Sequence, residues 1–585
     1  MKRLFAALLV AALATGSLSA CSGGVTANSV INVAEIGSLY SINSDVADAV
    51  SAHNQSELAN LTTASFYNLD ETGSLAANTK LGTVEVVDQS PFTVKYEISE
   101  GAKWSDGVAI DAADLALSFA AGRELQAIDF GSVRAGTGIQ FAELAEKPSL
   151  GDKSLTLKFE HPVADFQNAL NLAVPAHVVG LLADSKWSSA NDAKKYVLES
   201  IGSESRVALS RMARSYQKDF AISNNLAVKA NDPILTSSGA FKVEKFVGES
   251  QVTLLANKNF VAGEPSKVER INLKFFTDAT AAIAAMSAGL VDVSIAEDAG
   301  LASISEIKTL AEAIKDRKVS TFVAAGSVAE QIIFNFGSNS IFANGSTAIS
   351  GAKDASFTAR LAFLNAIPKA RIIESVSNRY TAKSSDSFVF GSDSASYKAV
   401  VQDNGSNAFP FQDVEKAGEL MKALGADIPV TVRVVFDSDN PRAQAEWTLL
   451  EARCESAGFT LVSLASSDPA EVLKSGEFDV FIGTRDLVST PGADLYSLTG
   501  SSLVGFKSEY IDGKLAKLAK TTDGLAQQAL LKEIDTELFK VAYGMPLYEV
   551  PSMVVVADTV AGFKPHPHAS SATWGYFNWS QVSSK

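Results

Sequence analysis

Between Lys103 and Asp114 the chain places three carboxylates, Asp106, Asp111 and Asp114, close to Trp104. Residues of these types at this spacing suit three chemistries: metal ligation, an acid/base pair, or capture of backbone N–H groups. The local pattern favours the third. Asp111 precedes Asp114 by three positions, and the apolar run Leu115 to Phe119 follows. That predicts a helix with Asp111 as N-cap and Asp114 in the first turn, where a negative charge suits the helix dipole. Ser105-Asp106-Gly107 is turn chemistry, with glycine free to take positive φ. Trp104 supplies an apolar body to pack beneath that turn.

A second constellation carries the residues of an acylating enzyme. Ser215-Tyr216-Gln217-Lys218, Ser438-Asp439-Asn440 and Lys474-Ser475-Gly476 follow the order used by penicillin-binding enzymes. The spacing opposes that chemistry, and so does the local structure each motif predicts. Asn440 precedes Pro441 at a helix start, which commits its side chain to capping. Lys474-Ser475-Gly476 ends a helix, with glycine as the stop signal. No HExxH, GxSxG, Walker A or CxxC motif occurs. Histidines stand only at 53, 161, 177, 566 and 568. His566-Pro567-His568 reads as an extended loop, because proline fixes the backbone between its two imidazoles. Neither catalysis, a metal centre nor a cofactor is expected.

The elements that position these residues follow a leader. Lys2 and Arg3, an apolar run from Leu4 to Ala14 and Leu18-Ser19-Ala20-Cys21 read as a signal peptide over residues 1–20. The run is too short to span a bilayer. Leu-Ser-Ala-Cys resembles a bacterial lipobox, which implies acylation of Cys21 and a tether over residues 21–29. The expected location is extracytoplasmic, on the cell membrane. The formal charge of −16 becomes −18 once Lys2 and Arg3 leave. With no basic stripe, nucleic-acid binding is not expected. The other cysteine, Cys454, has no partner for a disulfide once Cys21 is acylated, and reads as a core thiol.

Strand and helix patterns alternate along the chain, which argues for an α/β fold. Val30 to Ala34 reads as an early strand. Thr83 to Val87 and Phe92 to Ile98 flank an Asp88-Gln89-Ser90-Pro91 turn and read as a hairpin. Further hairpins are predicted at Ser154 to Phe159 and at Gly239 to Phe246 with Val252 to Ala256. Helices are predicted from Asn440 to Gly458, along Leu531, Ile534, Leu538 and Val541 to a stop at Gly544, and after Asp278 to Gly289.

Lys103-Trp104-Ser105-Asp106-Gly107 followed by Ile110-Asp111-Ala112-Ala113-Asp114 resembles the signature of family 5 extracellular solute-binding proteins, the oligopeptide-, dipeptide- and nickel-binding lipoproteins of ABC importers. The family usually has threonine at the place of Asp111. The resemblance continues in order through Pro175-Ala176-His177-Val178, Ser238-Gly239-Ala240-Phe241, Asn257-Lys258-Asn259-Phe260, Phe334-Asn335-Phe336, Glu477-Phe478-Asp479-Val480 and Met545-Pro546-Leu547-Tyr548.

The resemblance implies a type II periplasmic-binding-protein-like fold in its large three-domain form. Residues 30–70, 227–322 and 547–585 then form the first lobe. Residues 71–226 form an extra domain on it, and residues 323–546 form the second lobe. Hinge strands cross near 320–330 and 545–555. It also implies a monomer that captures a small peptide between closing lobes and passes it to a permease and ATPase complex. Other solutes are the alternatives: a nickel chelate, haem or an oligosaccharide, or a sensory role without transport. Peptide binders of the family hold a free amino terminus with an aspartate in a Gly-Trp-x-x-Asp segment. Gly483-Thr484-Arg485-Asp486 stands there, with threonine for tryptophan and one residue fewer. Asp486 either captures a ligand ammonium or caps local backbone, and Arg485 is a candidate for a ligand carboxylate. Asn335 and Tyr40 are further candidates, each just beyond a strand expected to face the cleft.

Overall fold

The computed structural model describes residues 24–46, 51–71, 74–134, 142–225, 228–296, 318–343, 355–377, 382–392, 394, 396–409, 412–425, 429–487, 502–565 and 571–582. Cys21 and His566-Pro567-His568 lie outside them. A mixed sheet of ten strands organises the molecule. In chain order these are β1 (Thr26–Ile36), β2 (Phe241–Phe246), β3 (Gln251–Ala256), β4 (Val268–Phe276), β5 (Val293–Ala296), β6 (Val319–Phe334), β7 (Val430–Asp437), β8 (Phe459–Ser466), β9 (Val480–Asp486) and β10 (Gly544–Ala557). Their order across the sheet is β2-β3-β4-β1-β5-β10-β6-β9-β7-β8.

The first five strands lie on one side and β9, β7 and β8 on the other, joined through β10 and β6. These two are the long strands, of 14 and 16 residues, and they pair antiparallel from Val319↔Ala557 to Ile333↔Gly544. At roughly 3.3 Å per residue, a strand of this length reaches from one lobe into the other. Both crossing segments expected from the sequence lie in them. Pairing slips between Ala325, opposite Pro551, and Ala329, opposite Glu549. Residues 326–328 therefore face only Val550, a bulge that bends the ribbon. Gly544 lets the strands close on each other, because a Cβ there would lie 2.1 Å from the Ile332 carbonyl oxygen.

Three helices position the site and its supports: α1 (Ala52–Thr62), α2 (Ala112–Gly122) and α3 (Pro441–Cys454). Asn440 caps α3 as its sequence predicts, accepting from Arg442 and Ala443 N–H. Cys454 is fully buried, and burial pushes its thiol up to about 12. That makes it an inert core residue.

Several boundaries move. β1 starts at Thr26, whose N–H donates to the Lys267 carbonyl at 2.9 Å, so the expected tether loses its last residues to the sheet. The helix Gly524–Lys540 is capped at Val541. Gly544 opens β10 instead of closing that helix. The helix after Asp278 ends at Ser287, and the strand that follows starts at Val293, not Val291.

The extra region also divides unexpectedly. Gly82–Gln89, Phe92–Ile98 and Ser154–Phe159 form a small sheet with its own core around Trp104 and Phe119. The helices Ala176–Ala183, Ala190–Gly202 and Arg206–Lys218 instead bury Val178, Val197, Leu209 and Met212 in the core of β1 to β4. Helical periodicity shows that a face is buried, but not what covers it.

Candidate functional site

A cleft of about 1300 Å³ lies where the crossing strands bulge. Val328 and Val550 line it from the bulge itself, with Thr484 and Leu487 at the end of β9. α1 contributes to the facing wall. His53, Ser56 and Asn60 line the cleft at helical spacing, while Leu58 and Leu61 enter the core. Gly239 seats this helix: a Cβ there would lie 2.4 Å from the Thr62 carbonyl carbon. The same wall includes the hairpin of Tyr67–Leu69 with Leu75–Ala77, the Phe260 to Glu264 loop, and Ser571, Trp574, Tyr576 and Phe577 near the C-terminus.

The charge in this lining is mainly negative. Asp70, Glu71 and Glu264 line the cleft with Lys80 and His53. Lys80 is paired with Glu264 at 2.5 Å. Beneath His53, its Nε2 lies 3.5 Å from Oε2 of the fully buried Glu35. Glu57, four residues after His53, accepts from Thr573 N at 2.8 Å and Thr573 Oγ1 at 2.6 Å. Burial raises the Glu57 carboxyl, and the His53 charge and the Thr573 bonds offset this only in part. Among the described residues, no group of three or more His, Cys, Asp or Glu side chains is arranged to hold a metal ion.

Of the residues singled out from sequence, Asp486 is the last of β9, in register with the cleft residue Val328. Arg485 pairs with Ala329. It falls on the strand face opposite Thr484, where its charge reaches the buried Tyr543 phenol. Tyr40 packs against the first-lobe core, and its carbonyl accepts from Ile222 N–H at 3.0 Å. It does not line the cleft. Asn335 does not either. It is 1% exposed. Its amide donates to the Gly476 and Phe478 carbonyls at 3.1 and 2.7 Å, and its Oδ1 accepts from Gly337 N–H at 2.8 Å. These bonds predict that Asn335→Ala lowers stability by about 1–3 kcal/mol, through buried groups left unpaired. Denaturant unfolding should show that loss, while ligand affinity of the folded variant stays at the wild-type value.

The signature stretch is structural. Asp111 and Asp114 form a reciprocal capping box at the start of α2. Lys194 donates to both, at 2.9 and 3.1 Å. Asp106 Oδ2 lies 2.8 Å from His177 Nε2, which locks this turn to the Pro175-Ala176-His177-Val178 motif. Burial pushes the Asp106 carboxyl up, but His177 and Val108 N–H outweigh it and hold it below its ordinary value. The penicillin-binding residues are equally committed. Ser215 is buried in a helix, Asn440 is a cap, and Gly476 is the left-handed stop after Ser475. Sequence reasoning missed His53 and the aromatic C-terminal wall. The second carried a signal, since Trp574-Gly575-Tyr576-Phe577-Asn578-Trp579 is dense in aromatics.

Comparison with known proteins agrees with this architecture. An uncharacterised lipoprotein of Mycobacterium tuberculosis is 24% identical over 97% of this chain and 96% of its own. One of Mycobacterium leprae is 23% identical over 98% and 97%. A periplasmic EDTA-binding protein superposes with a TM-score of 0.75 at 18% identity, over 96% of this chain and 98% of its own. The oligopeptide-binding protein AppA of Bacillus subtilis, solved with a nonapeptide, gives 0.64 at 15% identity, over 95% and 99%. No helix among the described residues is long and apolar enough to cross a membrane. The model for bacterial extracellular solute-binding proteins, family 5 Middle, matches residues 80–504. The two sides of the sheet, the paired crossing strands and the cleft at their bulge are thus those of a member of the family 5 bacterial extracellular solute-binding proteins, to which this chain belongs.

Proposed function

We propose that this protein is the ligand receptor of an ABC importer, held at the membrane by acylated Cys21, and that its ligand is a small peptide. The observation that carries this reading is the cleft at the bulge of the crossing strands, lined by residues of β6, β9 and β10 on one side and α1 on the other. A ligand there touches both lobes, so binding energy favours the closed form. The volume, about 1300 Å³, suits a molecule of several residues better than a bare ion. Amide and hydroxyl side chains such as Asn60, Asn68 and Ser56 alternate with apolar walls, as suits a peptide backbone and its side chains. The acidic lining opposes anionic chelates of the kind named for the EDTA-binding neighbour and favours amines. Asp486 is the candidate partner of a ligand ammonium; Arg485, on the strand face opposite Thr484, is no longer a candidate for a ligand carboxylate. The delivered ligand passes to a permease and ATPase, with the receptor acting as a monomer.

The test starts from protein stripped of ligand by partial unfolding and refolding. Short peptides should raise its melting temperature, by the linkage between ligand binding and folding. No shift across a peptide library rejects peptides as the ligand class. Asp486→Ala should weaken peptides with free amino termini by about tenfold or more, a loss of at least one charged hydrogen bond. Acetylated peptides should be unaffected; equal loss for both rejects the assignment.

A further inference from the structure

We propose that the C-terminal segment from Ser571 to Phe577 builds an aromatic subsite that selects peptides bearing a cationic side chain, lysine or arginine. The proposal rests on the reading of the cleft as a peptide site and adds what that peptide carries. The segment lies outside residues 80–504, so the matched family model does not describe it.

The segment is firmly held. Thr573 donates twice to the buried Glu57 carboxylate, and Trp574 Nε1 donates to the Leu69 carbonyl at 3.1 Å. Asn60 donates to Ser571 Oγ at 3.0 Å. Beyond it Trp579 is fully buried in the first-lobe core. On this base the three aromatics brace one another. Trp574 and Phe577 lie 6.2 Å apart between centroids at 67°, and Tyr576 and Phe577 5.6 Å apart at 83°. Tyr576 also meets Phe241 edge-on at 5.7 Å. All three are only half-buried, and all three line the cleft. A rigid aromatic wall in a concave site is a binding surface of low entropic cost.

Charge decides what the wall takes. Leu69, whose carbonyl holds the Trp574 indole, is followed by Asp70 and Glu71, both in the lining. Glu264 acts on the other end of the wall: burial raises the Tyr576 phenol, and Glu264 adds to that rise. Lys80, the lining lysine among the described residues, is already paired with Glu264. A neutral aromatic side chain gains stacking alone. A lysine or arginine side chain gains its stem packing, attraction to the ring faces and the surrounding carboxylates. An acidic side chain is repelled.

The experiment is titration calorimetry with Ala-Ala-Ala, Ala-Lys-Ala, Ala-Phe-Ala and Ala-Glu-Ala on wild type, Trp574→Ala and Trp574→Phe. For wild type, the lysine peptide should bind about tenfold tighter than Ala-Ala-Ala, and the glutamate peptide weakest. Trp574→Ala should lose most of the lysine preference while still binding Ala-Ala-Ala. Trp574→Phe, which keeps a ring without the bond to Leu69, should retain it. Should Trp574→Ala fail to fold by circular dichroism, Phe577→Ala and Glu264→Gln make the same comparison, each reducing the preference. Binding of all four peptides with equal affinity overturns this proposal and leaves the peptide reading standing. A wild type that prefers phenylalanine overturns it in favour of a neutral aromatic pocket. Binding of none overturns both.

Discussion

Replacing Arg134 with methionine should lower the stability of the first lobe by about 3–5 kcal/mol, because it leaves a buried carboxylate without its cation. Asp45 is fully buried. Arg134 grips it with Nε on Oδ1 and Nη2 on Oδ2, each at 2.9 Å. Ser132 and the Tyr216 phenol each donate to Oδ2 at 2.7 Å, and Asn171 to Oδ1 at 3.2 Å. Burial drives the Asp45 carboxyl upward, but the charge and bonds of Arg134 and the two hydroxyl bonds outweigh it. Its folded value therefore lies below the ordinary 3.8. A depressed carboxyl contributes stability above its unfolded value and loses it as pH falls through the folded one. Without Arg134 the main opposition to burial is lost and only the bonds from Ser132, Tyr216 and Asn171 remain, so the carboxyl moves upward. The gap between wild type and variant should be widest near neutral pH and close on acidification toward the carboxylate range. Urea unfolding at several pH values reads this from the transition that exposes the first lobe, since two lobes need not unfold together. A gap that stays constant down to that range would show that the loss is one of packing and not of charge. Asn171 also lines the cleft, so the network that secures the fold also orients a cleft amide.

That network illustrates where sequence reading ends. The Asp111 cap of α2 was legible because its backbone partner lies within one helical turn; the return bond of Asp114 and the grip of Lys194 on both carboxylates were not. The cap of α3 was legible for the same reason. Asp45, Arg134 and Tyr216 are separated by 89 and 171 positions from the first, and nothing local in any of them signals the others. Glu57 and Thr573 are 516 apart. Motif order over most of the chain carried the resemblance, and the resemblance implied the two-sided fold and its crossing strands. Side-chain direction depends on neighbours. Asn335 does follow a strand, but the carbonyls of Gly476 and Phe478 draw its amide away from the cleft. In Gly483-Thr484-Arg485-Asp486 the strand alternation puts the modest Thr484 into the cleft lining and the charged Arg485 on the other face. The aromatic wall was overlooked because its residues lie in no periodic element: Tyr576 and Phe577 sit in a short 3-10 turn from Tyr576 to Asn578, and Trp574 in the turn before it.

Arg442→Met should destabilise the second lobe by a comparable amount, about 3–5 kcal/mol, and should loosen the crossing strands while leaving the first lobe intact. Arg442 sits in the first turn of α3, 1% exposed, with Nε 2.7 Å from Oε2 of Glu330. Glu330 belongs to β6 and stands in register with Tyr548 of β10. Tyr548 in turn donates to Glu446, one turn further along α3. All four side chains are buried, so one helix grips both crossing strands, Arg442 holding Glu330 of β6 and Glu446 holding Tyr548 of β10. Removing the Arg442 cation leaves Glu330 a buried carboxylate without its counter-charge. Hydrogen exchange should then accelerate at the amides of Ile332 to Phe334, Met545 and Leu547 to Val550, with those of β1 and β4 unchanged. The double variant Glu330→Leu with Arg442→Met should recover most of the stability, since matched apolar groups replace a buried pair at little cost. Recovery of stability without recovery of ligand affinity would separate the two tasks of this cluster. Pairing slips at residues 326–328, beside Val328 and Val550 in the cleft, and again between Glu330 and Gln331, where α3 grips the strand, so bending is expected at these two places. If the grip of α3 is what confines it, loosening Glu330 spreads the motion along both strands, and the closed form loses the advantage that a bound ligand gives it.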